Sequence, residues 1–231
     1  MTGCAALGGV RNAAQIHPHL WRGEQPPPDQ RTAAALKAAG VQTIVSLRLD
    51  GEPAGVVGGR PCAPYRVTDE RALWEERGFR FRHLPLADFV APHPCDAAAA
   101  LRLLDGEIDD GRRVFLHCRA GVGRTGMMTA AWLISRGLSG DDAAEVFLQF
   151  SRDAHRRTAE AEKQAGEPPS SREEYFARVR LADQWWAITQ MAEALGSPIS
   201  RAFDVPPLSC PAGCEGWEEL YRGQLRPWGR R

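Results

Sequence analysis

The sequence predicts an α/β fold: a central mixed, mostly parallel β-sheet flanked by helices. Three observations predict it. Short β-branched segments alternate with helical ones in the order strand, helix, strand, strand, helix, strand, helix. The run "RVFLHC" at 113–118 is apolar through its centre, as a strand buried on both faces is. Ten residues, "HCRAGVGRTG" at 117–126, then join that strand to an apolar helix. In open α/β sheets, ligands collect at such junctions, outside the carboxyl ends of strands.

The elements follow in order. Residues 1–15 have no basic start followed by a long apolar stretch, so they read as a loose lead-in and not as a signal peptide. "IHPHLW" (16–21) reads as a short strand, and "RGEQPPPDQ" as a proline-rich turn. "DQRTAAALKAAG" reads as a helix, with Pro28 near its start and Gly40 just past its end. The β-branched "VQTIVSLRL" predicts a strand at about 42–48. Residues 51–73 carry Gly, Pro and polar side chains and read as a loop, and "FRFRHLPL" predicts a strand at about 79–85. Residues 96–108 read as a helix opened by Asp96.

Beyond the ten-residue junction, Ser139 is positioned to cap a helix over "DDAAEVFLQFSR". The polar stretch 155–170 reads as an exposed excursion. Ser171 and Glu174 then form an S-x-x-E capping box, and Leu181, Trp185, Ile188, Ala192 and Leu195 make one apolar face, giving a helix over 171–195 stopped by Gly196. The expected main domain is therefore 16–196, with 197–231 a tail rich in Pro, Gly and Arg.

Composition narrows the function. The chain's 231 residues carry 29 Lys+Arg and 29 Asp+Glu, so a formal charge of zero removes any global electrostatic case for nucleic acid or an anionic membrane. No apolar run reaches the roughly 18–20 residues of a membrane span, and a cytoplasmic location is the default expectation. The six cysteines are scattered, which favours reduced thiols, and Cys210 and Cys214 alone make a weak zinc motif.

The junction carries the chemistry. A helix N-terminus presents unpaired N–H groups and a partial positive charge, and a curled loop before it adds more N–H groups around an anion. Gly121, Gly123 and Gly126 relax the steric limits on such a curl. Arg124 supplies a planar fork for two phosphate oxygens. Cys118 adds a nucleophile: a free thiol titrates near about 8.5, and cations and a helix N-terminus lower that value. Thiolate attack on phosphorus would give a phospho-cysteine, with the loop amides and Arg124 holding the oxygens. Thr125 is placed to donate to the sulfur, and His117 to shape the loop. A buried structural cysteine would explain Cys118 but not Arg124, Thr125 and three glycines together.

The segment resembles the signature H-C-(x)5-R-[ST]-G of the cysteine-dependent protein tyrosine and dual-specificity phosphatases, and the match is complete. "LWRGEQP" followed by a helix and "TIVSLR" is similar to the opening of small bacterial and kinase-associated members, and the resemblance covers about 16–153. It implies the corresponding phosphatase fold. It also implies a phosphate loop made of His117, Arg119, Ala120, Gly121, Val122, Gly123 and Arg124, with no metal or cofactor. The family uses an aspartate on a loop N-terminal to the signature as general acid and base. In "HLPLADFVAPHP" that residue is Asp88, with Asp96 the runner-up. Arg22 and Arg48 are either structural or line the cleft, and Gln149 either orients water or is an exposed helix residue.

The expected partner is a phosphorylated protein or small phosphoester. No K-N-R-Y loop of the large tyrosine-specific members is found, and Val122 stands where phosphoinositide-selective relatives carry a lysine. Inositol phosphates remain an alternative, as does a phosphoprotein-binding module without turnover. A rhodanese-type sulfurtransferase fits less well, having typically four residues between cysteine and arginine. Cys62 and Cys95 are candidates to trap an oxidised Cys118.

Overall fold

The computed structural model describes residues 7–50, 56–57, 60–61, 67–203 and 214–225. In chain order the first elements are β1 (Ala14–His17), β2 (Leu20–Gly23), α1 (Gln30–Ala38), β3 (Thr43–Ser46), a small hairpin of β4 (Val56–Val57) and β5 (Arg60–Pro61), α2 (Val67–Glu76) and β6 (Arg80–His83). Then come α3 (Pro94–Asp109), β7 (Val114–His117), α4 (Gly123–Ser135), α5 (Gly140–Gln164), α6 (Arg172–Arg178), α7 (Leu181–Ala194) and α8 (Trp217–Leu225). The chain divides into two compact units, Met1–Leu86 with Arg102–Thr125, and Ala87–Leu101 with Gly126–Arg231.

The first unit holds the sheet, in the order β1-β2-β7-β3-β6. β2, β7, β3 and β6 run parallel and β1 is antiparallel to β2, the mixed, mostly parallel sheet expected. β2, β3 and β7 are buried along their whole length. The register decides what meets at the carboxyl edge. His117 stands opposite Gly23 on one side and Ser46 on the other, and Ser46 stands opposite His83. Four chain segments therefore leave the sheet side by side.

The core beneath this edge is aromatic. Trp74 and Phe79 meet edge to face at 5.4 Å, with Trp21, Phe81, Phe115, Leu36 and Ile44 in the same cluster. Truncating a buried ring of this kind to alanine costs about 3–5 kcal/mol. Leu7, Val10 and Ala13 belong to the cluster too, so residues 7–13 are packed and not a loose lead-in. The strand expected at 16–21 is two strands, because His17 and Leu20 pair across a tight turn. Asp29 caps α1, its carboxylate accepting the Thr32 N–H at 2.7 Å.

The loop expected over 51–73 gives way to α2 from residue 67. An acidic first turn, an Arg71–Glu75 pair one turn apart and the burial of Trp74 stabilise that helix. α3 begins at Pro94, earlier than expected: His93, not Asp96, accepts the first helical N–H groups, Asp96 and Ala97 through its carbonyl and Cys95 through Nδ1.

In the second unit, Ser139 caps α5 as expected, but the helix continues to Gln164. The stretch taken for an excursion is rich in Ala, Glu, Lys and Arg, all good helix formers, and Ala154 is buried. The turn that follows is held by Glu162, which accepts from Ser170 N–H at 2.7 Å and Oγ–H at 2.8 Å. Both capping-box bonds of Ser171 and Glu174 are present. The helix they open is broken at Arg180, whose φ is 52°, into α6 and α7. The start of the expected tail is ordered: the Asp141 carboxylate accepts from Ser200 and Arg201 N–H and from Ser200 Oγ–H. Among the described residues no helix is long and apolar enough to cross a membrane.

One buried charge ties α3 to the sheet. Glu107 accepts from Arg82 Nε at 2.7 Å and Thr43 Oγ1 at 2.8 Å, and also from Arg112 Nε. Burial by itself would raise its pKa, but these bonds outweigh burial and hold the carboxyl at about 2, against an ordinary 4.5. A depressed folded pKa gives stability that is present above the unfolded value and lost as pH falls through the folded one. Glu107→Gln is expected to cost about 1–3 kcal/mol in urea unfolding at pH 7, after allowance for the half-exposed arginines. The gap from wild type should close as pH falls from 4.5 towards 2.

Candidate active site

β7 delivers the chain to residues 118–122, and α4 starts at Gly123. The curl between them is fixed from outside. The carbonyl of Arg119 accepts the Gln25 N–H at 3.1 Å, that of Ala120 accepts from Asn12 Nδ2 at 2.7 Å, and that of Gly121 accepts from Arg22 Nη2. In a planar trans peptide the C=O and the following N–H point opposite ways. The N–H groups of Ala120, Gly121 and Val122 therefore turn to the other side, towards the concave face that opens at the N-terminus of α4. The result is an amide-lined nest of the kind that binds anions.

Of the three signature glycines, Gly121 alone takes a positive φ. Its φ is 70°, and a Cβ there would lie 2.2 Å from Gly23 C and 2.3 Å from Glu24 N. Gly123 opens α4 and Gly126 lies inside it, both in helical conformation. Gly23, on the other side of that contact, has its own constraint: a Cβ there would meet Phe115 Cζ at 2.7 Å.

Cys118, His117, Arg124 and Thr125 are buried, and Val122 is nearly so, whereas Arg119 and Ala120 are half-buried. Arg124 donates through Nη1 to the carbonyls of Leu86 at 3.2 Å and Leu47 at 3.4 Å, which anchors the guanidinium at the carboxyl edge of the sheet. The Thr125 hydroxyl is buried without a hydrogen-bond partner among the described residues. Arg22 is fully buried. Burial pulls its pKa down to about 9, and attraction to Cys118 pushes it back up, so it remains a cation at neutral pH beside that sulfur.

His117 Nδ1 lies 3.0 Å from the Cys118 carbonyl, which can only accept, so Nδ1 carries a proton. Its Nε2 lies 3.1 Å from Glu70 Oε1, off the hydrogen-bond line. Glu70 Oε2 is 3.7 Å from Arg48 Nη1, and all three side chains are at most 1% exposed. Arg48 is thus structural in position, and Glu70 is the member that sequence reading missed. It sits on α2, in the stretch read as loop. The acidic first turn of that helix was the available signal.

Asp88 lies in the second unit, in a turn after Leu86. It is half-buried, and its carboxylate accepts the Phe89 N–H at 3.1 Å. Phe89 takes φ 61°, unusual for a bulky side chain. Asp96 sits in the first turn of α3. Gln149 is exposed on α5. Cys95 is an exposed thiol and Cys214 a buried one, while Cys62 and Cys210 lie outside the described residues.

Comparison with known proteins gives the family and the fold. The family model described as "Polymorphic toxin system, DSP-PTPase phosphatase" matches residues 23–138, half of the chain. Cyclin-dependent kinase inhibitor 3 of Sus scrofa is 25% identical over 105 residues, 46% of this chain and 45% of that protein, so the chain spans less than half of this curated relative. Among solved structures, the kinase associated phosphatase with its catalytic site cysteine substituted by serine superposes with a TM-score of 0.51 at 19% identity, covering 78% of this chain and 89% of the other. TpbA of P. aeruginosa in complex with pTyr gives 0.50 at 21%, covering 77% and 93%. At these identities the two structures speak to the fold.

Two substitutions test the geometry. Gly121→Ala is expected to destabilise the protein by at least about 2 kcal/mol, because strain and a backbone clash coincide, and to abolish binding of inorganic phosphate in calorimetry. Glu70→Gln removes the buried carboxylate that faces Arg48, and a loss of about 1–3 kcal/mol is expected in urea unfolding.

Proposed function

The chain belongs to the DSP-PTPase phosphatase family, described for polymorphic toxin systems, and from that premise we propose that it hydrolyses phosphomonoesters through a phospho-cysteine on Cys118 without a metal. One observation carries this reading. The carbonyls of the 119–121 loop are held outward, which turns three amides inward beside a buried cysteine and two buried arginines.

The steps follow from the donors. A phosphate monoester dianion enters the nest, where the N–H groups of Ala120, Gly121 and Val122 and the Arg124 guanidinium take its non-bridging oxygens. The Cys118 thiolate attacks phosphorus as the ester P–O bond breaks. Asp88, protonated, gives its proton to the leaving oxygen. Asp88, now a carboxylate, takes a proton from water, which attacks the phospho-cysteine and releases phosphate and the thiolate. Thr125 donates to the sulfur as it departs. His117, held by Glu70 and by the Cys118 carbonyl, keeps the loop in shape. A phosphorylated protein side chain or a small phosphoester fits the reaction.

The test is release of p-nitrophenol from its phosphate ester in the presence of EDTA, from pH 5 to 8. Wild type is expected to turn over and Cys118→Ser to fall to background while still binding phosphate. Asp88→Asn should lose roughly 10²–10⁴-fold on esters with poor leaving groups and flatten the alkaline limb, which reflects loss of the acid's proton. A wild type that binds vanadate but releases no product at any pH would replace this reading with a phosphate-binding module.

A further inference from the structure

The C-terminal segment lies outside the family match, and within the second unit it packs onto the loop that carries Asp88. Tyr221 on α8 is fully buried, and its hydroxyl donates to the Pro92 carbonyl. Trp217, one turn earlier, meets the His93 ring edge to face at 5.1 Å. α8 is itself held by α7, where Trp186 contacts the Tyr221 ring at 6.2 Å, and by burial of Leu225. On the loop side, Ala91 and Pro92 are buried, and His93 caps α3 through Nδ1 and its carbonyl.

These contacts bear on Asp88 for a mechanical reason. Pro92 lies four residues after Asp88, and between them Phe89 holds a left-handed backbone that costs on the order of 1 kcal/mol or more. A strained turn keeps its shape only when both ends are fixed. The far end is fixed at Pro92 and His93, and both contacts come from α8. Burial, reinforced by Cys214 and Asp96, drives the Tyr221 pKa upward, so its hydroxyl stays a proton donor across the working range.

We propose that α8 is a positioning element for the acid loop: Tyr221 and Trp217 pin Pro92 and His93 and thereby fix where Asp88 presents its proton. The proposal rests on the reading of Asp88 as general acid. It assigns Tyr221 no contact with substrate. Its role is exerted through Asp88 alone, which makes it separable from a role in folding.

The experiment compares two esters on the full chain. p-Nitrophenyl phosphate has a good leaving group and needs little protonation; phenyl phosphate has a poor one and depends on the acid. Tyr221→Phe, which keeps the ring and removes the hydroxyl, is expected to lower kcat on phenyl phosphate roughly five- to tenfold, the worth of one buried hydrogen bond. kcat on p-nitrophenyl phosphate should change less than about twofold, with KM steady on both, because binding in the nest is untouched. Trp217→Ala, at a half-buried site, should show the same selectivity and covers the case in which Tyr221→Phe unfolds. In an Asp88→Asn background neither substitution should add to the loss, since a positioning residue has nothing left to position.

Equal losses on both esters, no loss on either, or a further loss in the Asp88→Asn background would each overturn the proposal. An Asp88→Asn protein with no selectivity between the esters would overturn the acid assignment itself, and the proposal with it. A selective Asp88→Asn beside an unselective Tyr221→Phe overturns the role of α8 alone.

Discussion

The site depends on the direction of three carbonyls. A five-residue stretch between a strand and a helix has no ladder to satisfy its backbone, and each of its peptides must find a partner. Here the partners for residues 119–121 come from Asn12, Arg22 and Gln25, all from the first strands or their flanks. That choice turns the amides the other way. It also requires the chain at Gly23 and Glu24 to touch the loop, and Gly121 is the residue that permits the approach. The register that sets Gly23, His117 and Ser46 level is the condition for all of this, because it brings the supporting segments out of the sheet at one edge.

The same edge concentrates positive charge. Arg22, Arg48 and Arg124 are all at most 1% exposed. Glu70 balances one of them. Arg22 and Arg124 donate to carbonyls, contacts that hold the guanidiniums in place. Burying a cation costs several kcal/mol unless something answers it. A chain with zero net charge therefore gathers three buried guanidiniums at one edge of its sheet.

What was legible in the sequence was what short-range rules encode. The parallel strands, the Ser139 and Ser171 caps, and the position of the loop between β7 and α4 all follow from periodicity and capping chemistry. What was not legible depended on distant partners. Glu70 looked like a loop acid, because its meaning lies in His117 and Arg48, far away in sequence. Asp96 looked like a cap, because His93 was not an obvious competitor for the same N–H groups. The continuation of α5 was hidden by a polarity that signals exposure as readily as it signals a linker. The break at Arg180 interrupts an apolar pattern that reads as continuous. Asn12 and Gln25 carried no signal as loop supports: any polar side chain or free amide would serve, so residue type alone does not single them out.

The two candidate functional groups are supported in different ways. The nest around Cys118 is held by bonds among β2, β7 and their flanks, within one contiguous core. Asp88 sits in a turn whose far end is secured by a helix more than a hundred residues along the chain. A rigid anion site asks for the first arrangement, since its donors must be in place before charge develops. A group that gives up a proton and then takes one back asks for a support that fixes position without freezing the turn. A single tyrosine hydroxyl on a carbonyl, with one ring edge beside it, is a support of that size: one hydrogen bond and one ring contact hold the end of the turn and leave its other residues unpinned by α8.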